Sequence, residues 1–364
     1  MATSDRRPLA PWVNPFLLAP MAGYTELPFR RICRRYGAGA VFTELVSVDG
    51  IVRGSPSTWH LLATDPSEQP VGVNLYGSDP ETFAAAVSML VERTPLRWVD
   101  INAGCPVPQI IRRGAGAGLV ETPERLAAIV SKVRSITQGP VTVKSRPGIR
   151  PDRIRIFEIA AALEEAGATA LTIHARTVDQ RHAGAADWDL TAEVRRRCQQ
   201  LLIVGNGGLT SPAQAVEYLR RYELDAVMIG RAALGRPWIF AEANALWRAQ
   251  TPPAPPTPDE LGELIKEHFD GLLALERAHP ALRRRRQPPE RIAVCRIRGH
   301  LLHYVRGLPG STVVRRRLND LCTPDQLFEA VDFVIGARAR SHGTHGGGTA
   351  NTPTSSNTAR SPVD

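Results

Sequence analysis

Short apolar runs recur along the first two thirds of the chain, and longer amphipathic stretches separate them. Each run is three to five residues long and most are rich in Val, Ile and Leu, as expected of buried parallel strands. They are Phe16–Ala19, Ala40–Phe42, Val71–Leu75, Trp98–Ile101, Val141–Val143, Ala170–Ile173, Leu202–Val204 and Ala226–Ile229. Strands that alternate with helices predict a parallel sheet, and eight such units predict an α/β fold closed into a (β/α)8 TIM barrel.

Apolar residues at helical spacing mark the segments between these strands. Pro80–Arg93, Thr122–Ser135 and Ile154–Glu165 all carry that period. Asp79 supplies a polar start for the first of these helices, and Gly167 ends the third.

The chain divides by composition after the eighth strand. Residues 1–250 form the predicted barrel domain, and five prolines between Pro252 and Pro258 predict a linker over residues 251–258. Residues 259–340 have a helical pattern that predicts a small all-α domain. Residues 341–364 are rich in Gly, Ser, Thr and Asn with almost no apolar content, which predicts a disordered tail.

Composition also indicates in which cellular compartment the protein is expected. No run approaches 18 apolar residues, so we expect no membrane span, and the N-terminal stretch lacks the apolar segment of a signal peptide. Five dispersed cysteines without a C-x-x-C pair argue against a disulfide framework or a zinc site and favour the cytoplasm. A net charge of +9 favours a polyanionic partner.

Polar and chemically active residues stand at the carboxyl ends of the predicted strands, where barrel enzymes place their chemistry. These ends carry Pro20, Met21, Ala22, Glu44, Asn74, Asn102, Cys105, Lys144, Arg146, His174, Arg176, Asn206, Gly207, Gly208, Gly230 and Arg231. A purely structural barrel would not need such residue types at so many ends. The sequence therefore predicts an active site at this face.

Cys105 follows the fourth strand, and Gly104 and Pro106 predict a tight turn that would hold its thiol over the barrel mouth. A free thiol with a pKa of about 8.5 is mostly protonated at neutral pH and can act as an acid. The alternative is a small buried hydrophobic residue, the ordinary state of an isolated cysteine.

Glycine turns end the last two strands, at Asn206–Gly208 and Gly230–Arg231. Glycines let backbone N–H groups approach a ligand, and the seventh and eighth loops are the usual phosphate site of this barrel. The alternative is a pair of ordinary strand-to-helix turns. No G-x-G-x-x-G follows a strand, so the sequence does not predict a dinucleotide fingerprint.

Lys144 ends the fifth strand after three residues of buried type, which favours contact with a flavin edge or a phosphate over a surface position. His174 and Arg176 end the sixth strand on the face that carries the phosphate turns. That placement favours ligand contact for both, although an isolated histidine is more often structural.

Positive charge is concentrated in the predicted helical domain. Residues 281–317 include eleven arginines and one acidic residue, Glu290, for a local net charge of +10. Arginine forks suit phosphate groups, and counterion release would drive binding to a nucleic acid. A solvated helix face explains most charge runs, but such faces usually mix signs.

Taken in order, these motifs resemble the tRNA-dihydrouridine synthases, in their common bacterial branch. The resemblance runs from Leu18 to about Val334. It is carried by Ala19–Glu26 with Phe29 and Arg30, Gly77–Pro80, Asn102–Pro106, Ile173–Thr177, Gly205–Gly207, Asp225–Arg231, Arg236–Phe240 and Arg298–Tyr304.

The resemblance implies FMN as cofactor, NADPH or NADH as electron donor, and tRNA as substrate. It assigns cofactor contacts to Pro20, Met21, Ala22, Asn74, Lys144, His174, Asn206, Gly207, Gly208, Gly230 and Arg231. It assigns substrate contacts to Asn102, Arg176, Arg298 and His300, and proton donation to Cys105. Three residues depart from the family pattern: Asn74 replaces a flavin-contacting Gln, Gln109 a common Lys, and Gly299 a common basic residue.

Two other functions are compatible with parts of the sequence. A flavin barrel enzyme acting on a free small molecule, such as a dihydroorotate-type pyrimidine, would share the cysteine and the lysine but not the basic helical domain. An RNA-binding protein built on an inactive barrel would use only the basic domain. We expect a cytoplasmic monomer in the favoured case.

Overall fold

The computed structural model describes residues 9–278 and 287–343, with side chains described to residue 336. Its strands are β1 (Phe16–Leu18), β2 (Val41–Phe42), β3 (Val46–Ser47), β4 (Val71–Tyr76), β5 (Trp98–Ala103), β6 (Val141–Ser145), β7 (Gly148–Arg150), β8 (Arg153–Ile154), β9 (Ala170–His174), β10 (Leu202–Asn206) and β11 (Ala226–Ile229). All eight predicted strands are present, as β1, β2, β4, β5, β6, β9, β10 and β11. Five of them extend one or two residues beyond their predicted ends.

The helices are α1 (Leu27–Arg35), α2 (Val48–Val52), α3 (Pro56–His60), α4 (Pro80–Arg93), α5 (Pro108–Ile111), α6 (Pro123–Arg134), α7 (Ile156–Glu165), α8 (Trp188–Arg197), α9 (Pro212–Arg221), α10 (Ile239–Trp247), α11 (Pro258–Ala278), α12 (Pro289–Tyr304), α13 (Ser311–Arg317) and α14 (Pro324–Gly343). Helix α4 has its predicted bounds, and Asp79 caps it by accepting the Thr82 N–H at 2.8 Å. Helix α7 begins two residues later than predicted, because Ile154 pairs with Gly148 in the β7–β8 hairpin.

The eight main strands pair in parallel in the order β2, β4, β5, β6, β9, β10, β11, β1. Backbone hydrogen bonds join the two ends: the Leu18 N–H donates to Ala40 O at 3.0 Å and the Gly39 N–H to Phe16 O at 2.6 Å. Gly39 permits this approach, since a Cβ there would lie 1.9 Å from the Asn14 carbonyl oxygen. The ring is thereby nearly closed, and the predicted TIM barrel is confirmed.

The hydrophobic core has an inner and an outer part. Inside the barrel, the side chains of Leu17, Phe42, Trp98, Val204 and Met228 pack together. A larger layer lies between the sheet and the surrounding helices. These packed layers leave the polar strand ends as the place for chemistry.

The helices after the barrel share a separate core. Leu264, Phe269, Ile297 and Val334 pack there, together with Ile32 of α1 in the barrel. An all-α unit after the barrel is therefore confirmed, and it packs directly on the first barrel helix.

Two helices overlap the ends of the segments predicted as linker and tail. Helix α11 begins at Pro258, the last residue of the predicted linker, and residues 251–257 lie outside helices. Helix α14 extends to Gly343, so the first three residues of the predicted tail are helical. Residues 344–364 and Arg283–Arg286 of the basic cluster lie outside the described residues.

Candidate active site

The Cys105 turn leaves β5 at the carboxyl face of the barrel. Asn102 Oδ1 accepts hydrogen bonds from the N–H groups of Gly104 at 3.2 Å and Cys105 at 2.9 Å. An asparagine side chain that binds the next residues' backbone in this way replaces the strand ladder with a turn. The Cys105 carbonyl oxygen accepts the Ala117 N–H at 3.1 Å, which fixes the far side of the turn.

The Cys105 side chain is half-buried. Burial raises the pKa of its thiol from the ordinary value of 9.0, and the charges of Arg146 and Lys144 only partly oppose that shift. The thiol is therefore protonated at neutral pH, the state that a proton donor requires.

Asn74 lies within the barrel and not at its open face. Its side chain is 0% exposed, its Nδ2 donates to Asp100 Oδ2 at 2.6 Å, and its Oδ1 accepts from Asn102 Nδ2 at 3.0 Å. The expected flavin contact of Asn74 is not supported, because the amide is turned toward neighbouring strands and has no accessible surface. Asn102, only 8% exposed, is likewise engaged at both ends of its amide.

Lys144 extends from β6 across the barrel mouth. Its Nζ donates to Asn206 Oδ1 at 3.1 Å, and Asn206 Nδ2 donates to the Met228 carbonyl oxygen at 2.7 Å. Burial lowers the pKa of Lys144 to about 8, and the nearby Arg146 guanidinium adds to the effect. One of the three ammonium hydrogens is used in this bond, so the others can reach a ligand.

His174, Arg176, Gly207 and Gly208 meet beside the ends of β9 and β10, and we call this group the anion site. A Cβ on Gly207 would lie 3.4 Å from His174 Nε2 and 3.5 Å from an Arg176 terminal nitrogen. Both glycines have positive φ angles, which glycine adopts readily. Trp188 Nε1 donates to the Gly207 carbonyl oxygen at 3.0 Å and holds the turn.

Two buried polar atoms of the anion site have no hydrogen-bond partner among the described residues: His174 Nδ1 and one terminal nitrogen of Arg176. Unpaired buried donors are costly, so they indicate a place for a ligand. Burial and the charges of Lys144 and Arg146 hold the pKa of His174 far below its ordinary value, so its ring is neutral.

The turns after β1 and β11 lie next to each other. A Cβ on Gly230 would lie 3.8 Å from Met21 Sδ. Pro20 and Met21 are half-buried, whereas Ala22 and Arg231 are exposed. These residues therefore border the same open face as the anion site.

Arg146 is a buried part of the site that the predicted contacts omitted. It donates to the Gly104 carbonyl oxygen at 3.1 Å and to the Thr177 carbonyl oxygen at 2.8 Å. The guanidinium thus joins the Cys105 turn to the loop after β9. Its position at a strand end was visible in the sequence, but its partners are backbone groups that no motif reveals.

Arg298 and His300 lie on helix α12 and make contacts within the helical unit and at its junction with the barrel. Arg298 Nε donates to the Leu321 carbonyl oxygen at 2.9 Å, within the helical unit. His300 is 1% exposed, and its Nε2 lies 3.2 Å from Glu26 Oε1. Arg298 is half-buried and His300 is buried, and substrate contact by either side chain stays a prediction.

Glu26, His268 and His300 are close enough to hold a metal ion. However, His268 Nε2 lies only 2.6 Å from Glu26 Oε1. Two ligands of a tetrahedral zinc ion, each about 2.0–2.1 Å from it, would be roughly 3.3 Å apart. The contact is therefore a charge-assisted hydrogen bond that joins the barrel to the helical unit.

The site thus combines a protonated thiol, an ammonium group and an anion site on one face of a barrel. Residues 17–338 match the family model described as dihydrouridine synthase (Dus). The chain belongs to the dihydrouridine synthase family. This confirms the resemblance drawn from the ordered motifs.

Curated relatives agree with this membership. A probable tRNA-dihydrouridine synthase of Mycobacterium tuberculosis (strain H37Rv) is 33% identical over 89% of this chain and 82% of the relative. A tRNA-dihydrouridine synthase B of Pasteurella multocida is 33% identical over 88% of this chain and 92% of the relative. One from Xanthomonas axonopodis pv. citri is 34% identical over 87% of this chain and 92% of the relative.

Solved structures share the fold at low sequence identity. Histamine dehydrogenase from Rhizobium sp. 4-9 matches with a TM-score of 0.51 and 12% identity, over 71% of this chain and 49% of that protein. The 6-hydroxypseudooxynicotine amine oxidase of Pseudomonas geniculata N1 matches with a TM-score of 0.53 and 12% identity, over 70% of this chain and 50% of that protein. The chain therefore spans about half the length of these proteins, and the likeness concerns the barrel fold alone.

None of the helices in the described part of the chain combines the length and the apolar character that a membrane span needs.

Proposed function

We propose that this protein reduces uridines in tRNA to 5,6-dihydrouridine, with FMN as cofactor, NADPH or NADH as electron donor, and Cys105 as proton donor. The observation that carries the proposal is the shared face of the protonated Cys105 thiol, Lys144 and the anion site. Family membership and the names of the curated relatives support uridine in tRNA as the substrate.

The anion site fits the phosphate of FMN. Two glycines leave room for the phosphate, and the unpartnered groups of His174 and Arg176 could bind it. Gly230 and Arg231 border the same space, and Arg231 adds positive charge from the eighth turn. Lys144 and Asn206 would contact the flavin ring system, and Pro20, Met21 and Ala22 would border it.

A bound reduced flavin would supply the hydride that uracil C6 receives. The protein must then deliver a proton to C5, and Cys105 holds one at neutral pH because burial keeps its thiol protonated. Asn102 and Arg146 fix the turn that carries this thiol. Holding an acid in place in this way contributes effective molarity to the proton transfer.

A uracil must leave its stack to reach the barrel mouth. Exposed arginines of the helical unit would bind the phosphates around it: Arg291, Arg306, Arg315, Arg316 and Arg317. Such binding would weaken steeply with salt. None of the five cysteines, all among the described residues, forms a disulfide, in keeping with a cytoplasmic enzyme, and we propose that it acts as a monomer.

Replacing the thiol tests the proposal directly. We expect Cys105→Ala to retain flavin and its reduction by the nicotinamide donor, but to lose dihydrouridine formation by about 10²–10⁴-fold, the usual contribution of a positioned acid. Mass mapping of dihydrouridine in tRNA from cells lacking the protein, complemented with each variant, measures the product. Cys295→Ser, at an exposed position of α12, serves as the matched control.

Normal dihydrouridine formation by Cys105→Ala would refute the assignment of the acid. Efficient turnover of a free pyrimidine, without salt-dependent tRNA binding, would instead favour the alternative function, a flavin barrel enzyme that acts on a free small molecule.

A further inference from the structure

We propose that Asp100 and Asn74 are positioning residues that hold the Cys105 turn through the amide of Asn102. Hydrogen bonds connect these three residues across strands β4 and β5, and we call them the amide relay. The inference rests on the proposed role of Cys105 as proton donor. It assigns a function to two side chains that make no contact with the barrel mouth.

The amide relay is continuous from the barrel interior to the turn. Asp100 Oδ2 accepts from Asn74 Nδ2 at 2.6 Å, and Asn74 Oδ1 accepts from Asn102 Nδ2 at 3.0 Å. Asn102 Oδ1 then accepts from the Cys105 N–H at 2.9 Å and from the Gly104 N–H at 3.2 Å. The bonds to the two asparagine oxygens have ordinary N–H···O lengths, and the bond to the Asp100 carboxylate is shorter, as charge-assisted hydrogen bonds are.

The groups at the buried end of the amide relay determine which atom donates and which accepts in each of its hydrogen bonds. The indole of Trp98 can only donate, and it donates to Thr142 Oγ1 at 3.0 Å. The Thr142 hydroxyl in turn donates to Asp100 Oδ1 at 2.7 Å. The ionised carboxylate accepts only, so Asn74 must direct its NH2 group toward Asp100 and its oxygen toward Asn102.

The same order of donors and acceptors continues as far as the Cys105 turn. Since Asn74 presents an oxygen, Asn102 must present its NH2 group there and its own oxygen to the Gly104 and Cys105 N–H groups. A flipped Asn102 amide would set an NH2 group against two N–H donors and leave them without an acceptor. Leaving polar groups unsatisfied is costly, so the relay selects one conformation of the turn.

The burial of Asp100 is energetically unfavourable, which indicates that this carboxylate has a specific role in holding the turn. It lies between Val99 and Ile101 in β5 and is fully buried, and burial raises the pKa of its carboxyl to about 6. A buried carboxylate is tolerated only when hydrogen bonds compensate for lost hydration. Asn74 and Thr142 provide that compensation, and through Asn74 the carboxylate orients the turn.

The test measures how fast the Cys105 thiol is alkylated at each pH. The full-length protein is treated with iodoacetamide from pH 7 to 10.5, and peptide mass spectrometry follows alkylation of Cys105 alone. Asn74→Leu and Asp100→Ala break the relay, whereas Asp100→Asn keeps an oxygen that can accept from Asn74. Thr172→Val changes another buried barrel residue outside the relay and is the matched control.

We expect the two breaking variants to release the turn, expose the thiol and lower its pKa. One unit of pKa gives ten times more thiolate, so alkylation at pH 8 should be about tenfold faster. Faster amide exchange in the peptide containing Gly104 and Cys105 should accompany it. Asp100→Asn and Thr172→Val should stay within about twofold of the wild type, since a twofold change is only about 0.4 kcal/mol.

Alkylation profiles of Asn74→Leu and Asp100→Ala that superimpose on that of the wild type would overturn the inference. Equal acceleration by Asp100→Asn or Thr172→Val would also overturn it, since neither removes the acceptor. If one breaking variant does not fold, the other decides. Alkylation does not depend on turnover, so an active Cys105→Ala variant would refute the proton-donor role without altering this result.

Discussion

At the scale of single residues, burial sets the protonation states of the groups at the barrel mouth. Burial keeps the Cys105 thiol protonated, and burial with neighbouring charge keeps the His174 ring neutral. A neutral His174 can donate or accept beside an anion without adding to the charge of Arg176. The protonated thiol and the neutral imidazole thus result from the same desolvation of the barrel mouth.

Arg176 should determine how tightly the protein retains its flavin. A hydrogen bond to a charged group contributes about 1.5–3 kcal/mol, so Arg176→Gln should weaken FMN binding by roughly 10–150-fold. Fluorescence titration of the flavin-free protein measures the dissociation constant. Arg150→Gln, on the β7–β8 hairpin and paired with Asp152, is the control. Unchanged flavin affinity in Arg176→Gln would refute the proposed anion site.

At the scale of elements, the sequence predicted the strands and helices that local residue patterns determine. All eight barrel strands and helix α4 follow from apolar periodicity and caps, as the structure confirms. The β7–β8 hairpin was missed, because its two and three residues carry too little pattern to separate them from a helix start. The hydrogen bonds of Asn74 and Asp100 were also missed, since their partners come from other strands.

The strand ends show what a list of candidate residues read from a sequence can and cannot contain. Alternation along a strand predicts which residues share a face, yet not which are deep enough to be sealed from a ligand. Asn74 and Lys144 both precede a strand end, but one is fully buried and the other reaches the mouth. Depth depends on barrel packing, which a sequence pattern does not contain.

Closure of the barrel between β1 and β2 gives an element-scale prediction. A Cβ on Gly39 would lie 1.9 Å from the Asn14 carbonyl oxygen, so Gly39→Ala should destabilise the fold by about 1–3 kcal/mol or more. The same substitution at Gly262 in α11 meets only Ile335 Cγ1 at 3.8 Å and should stabilise by about 0.5–1 kcal/mol. Chemical denaturation of both variants measures the difference. Equal stabilities would show that the closing contact does not constrain the barrel.

At the scale of the whole molecule, Glu26 links the two parts of the structure. It lies at the start of α1, after β1, and its carboxylate meets His268 of α11 and His300 of α12. His268 Nδ1 lies 3.1 Å from the Tyr304 hydroxyl, and its ring stacks on Phe29. The family motif around His300 therefore lies, in this chain, at the junction between the helical unit and the barrel.

This junction should weaken in acid. Burial lowers the pKa of His268 from 6.5 to about 4, so the folded state favours the neutral ring while the unfolded chain takes up a proton below pH 6.5. The contribution of this group to stability is complete above pH 6.5 and decreases as the pH falls toward 4. His268→Gln retains an N–H donor for Glu26 but does not titrate. We expect it to flatten the fall in melting temperature between pH 7 and 4.

Tyr304→Phe separates titration from simple loss of a contact, because it removes the hydrogen bond to His268 Nδ1 and leaves the imidazole in place. It should lower the melting temperature by a similar amount at every pH, with a cost near 1 kcal/mol. If His268→Gln kept the full acid-dependent loss, the neutral histidine would not be the group that responds. The acid sensitivity would then arise at titratable groups other than His268.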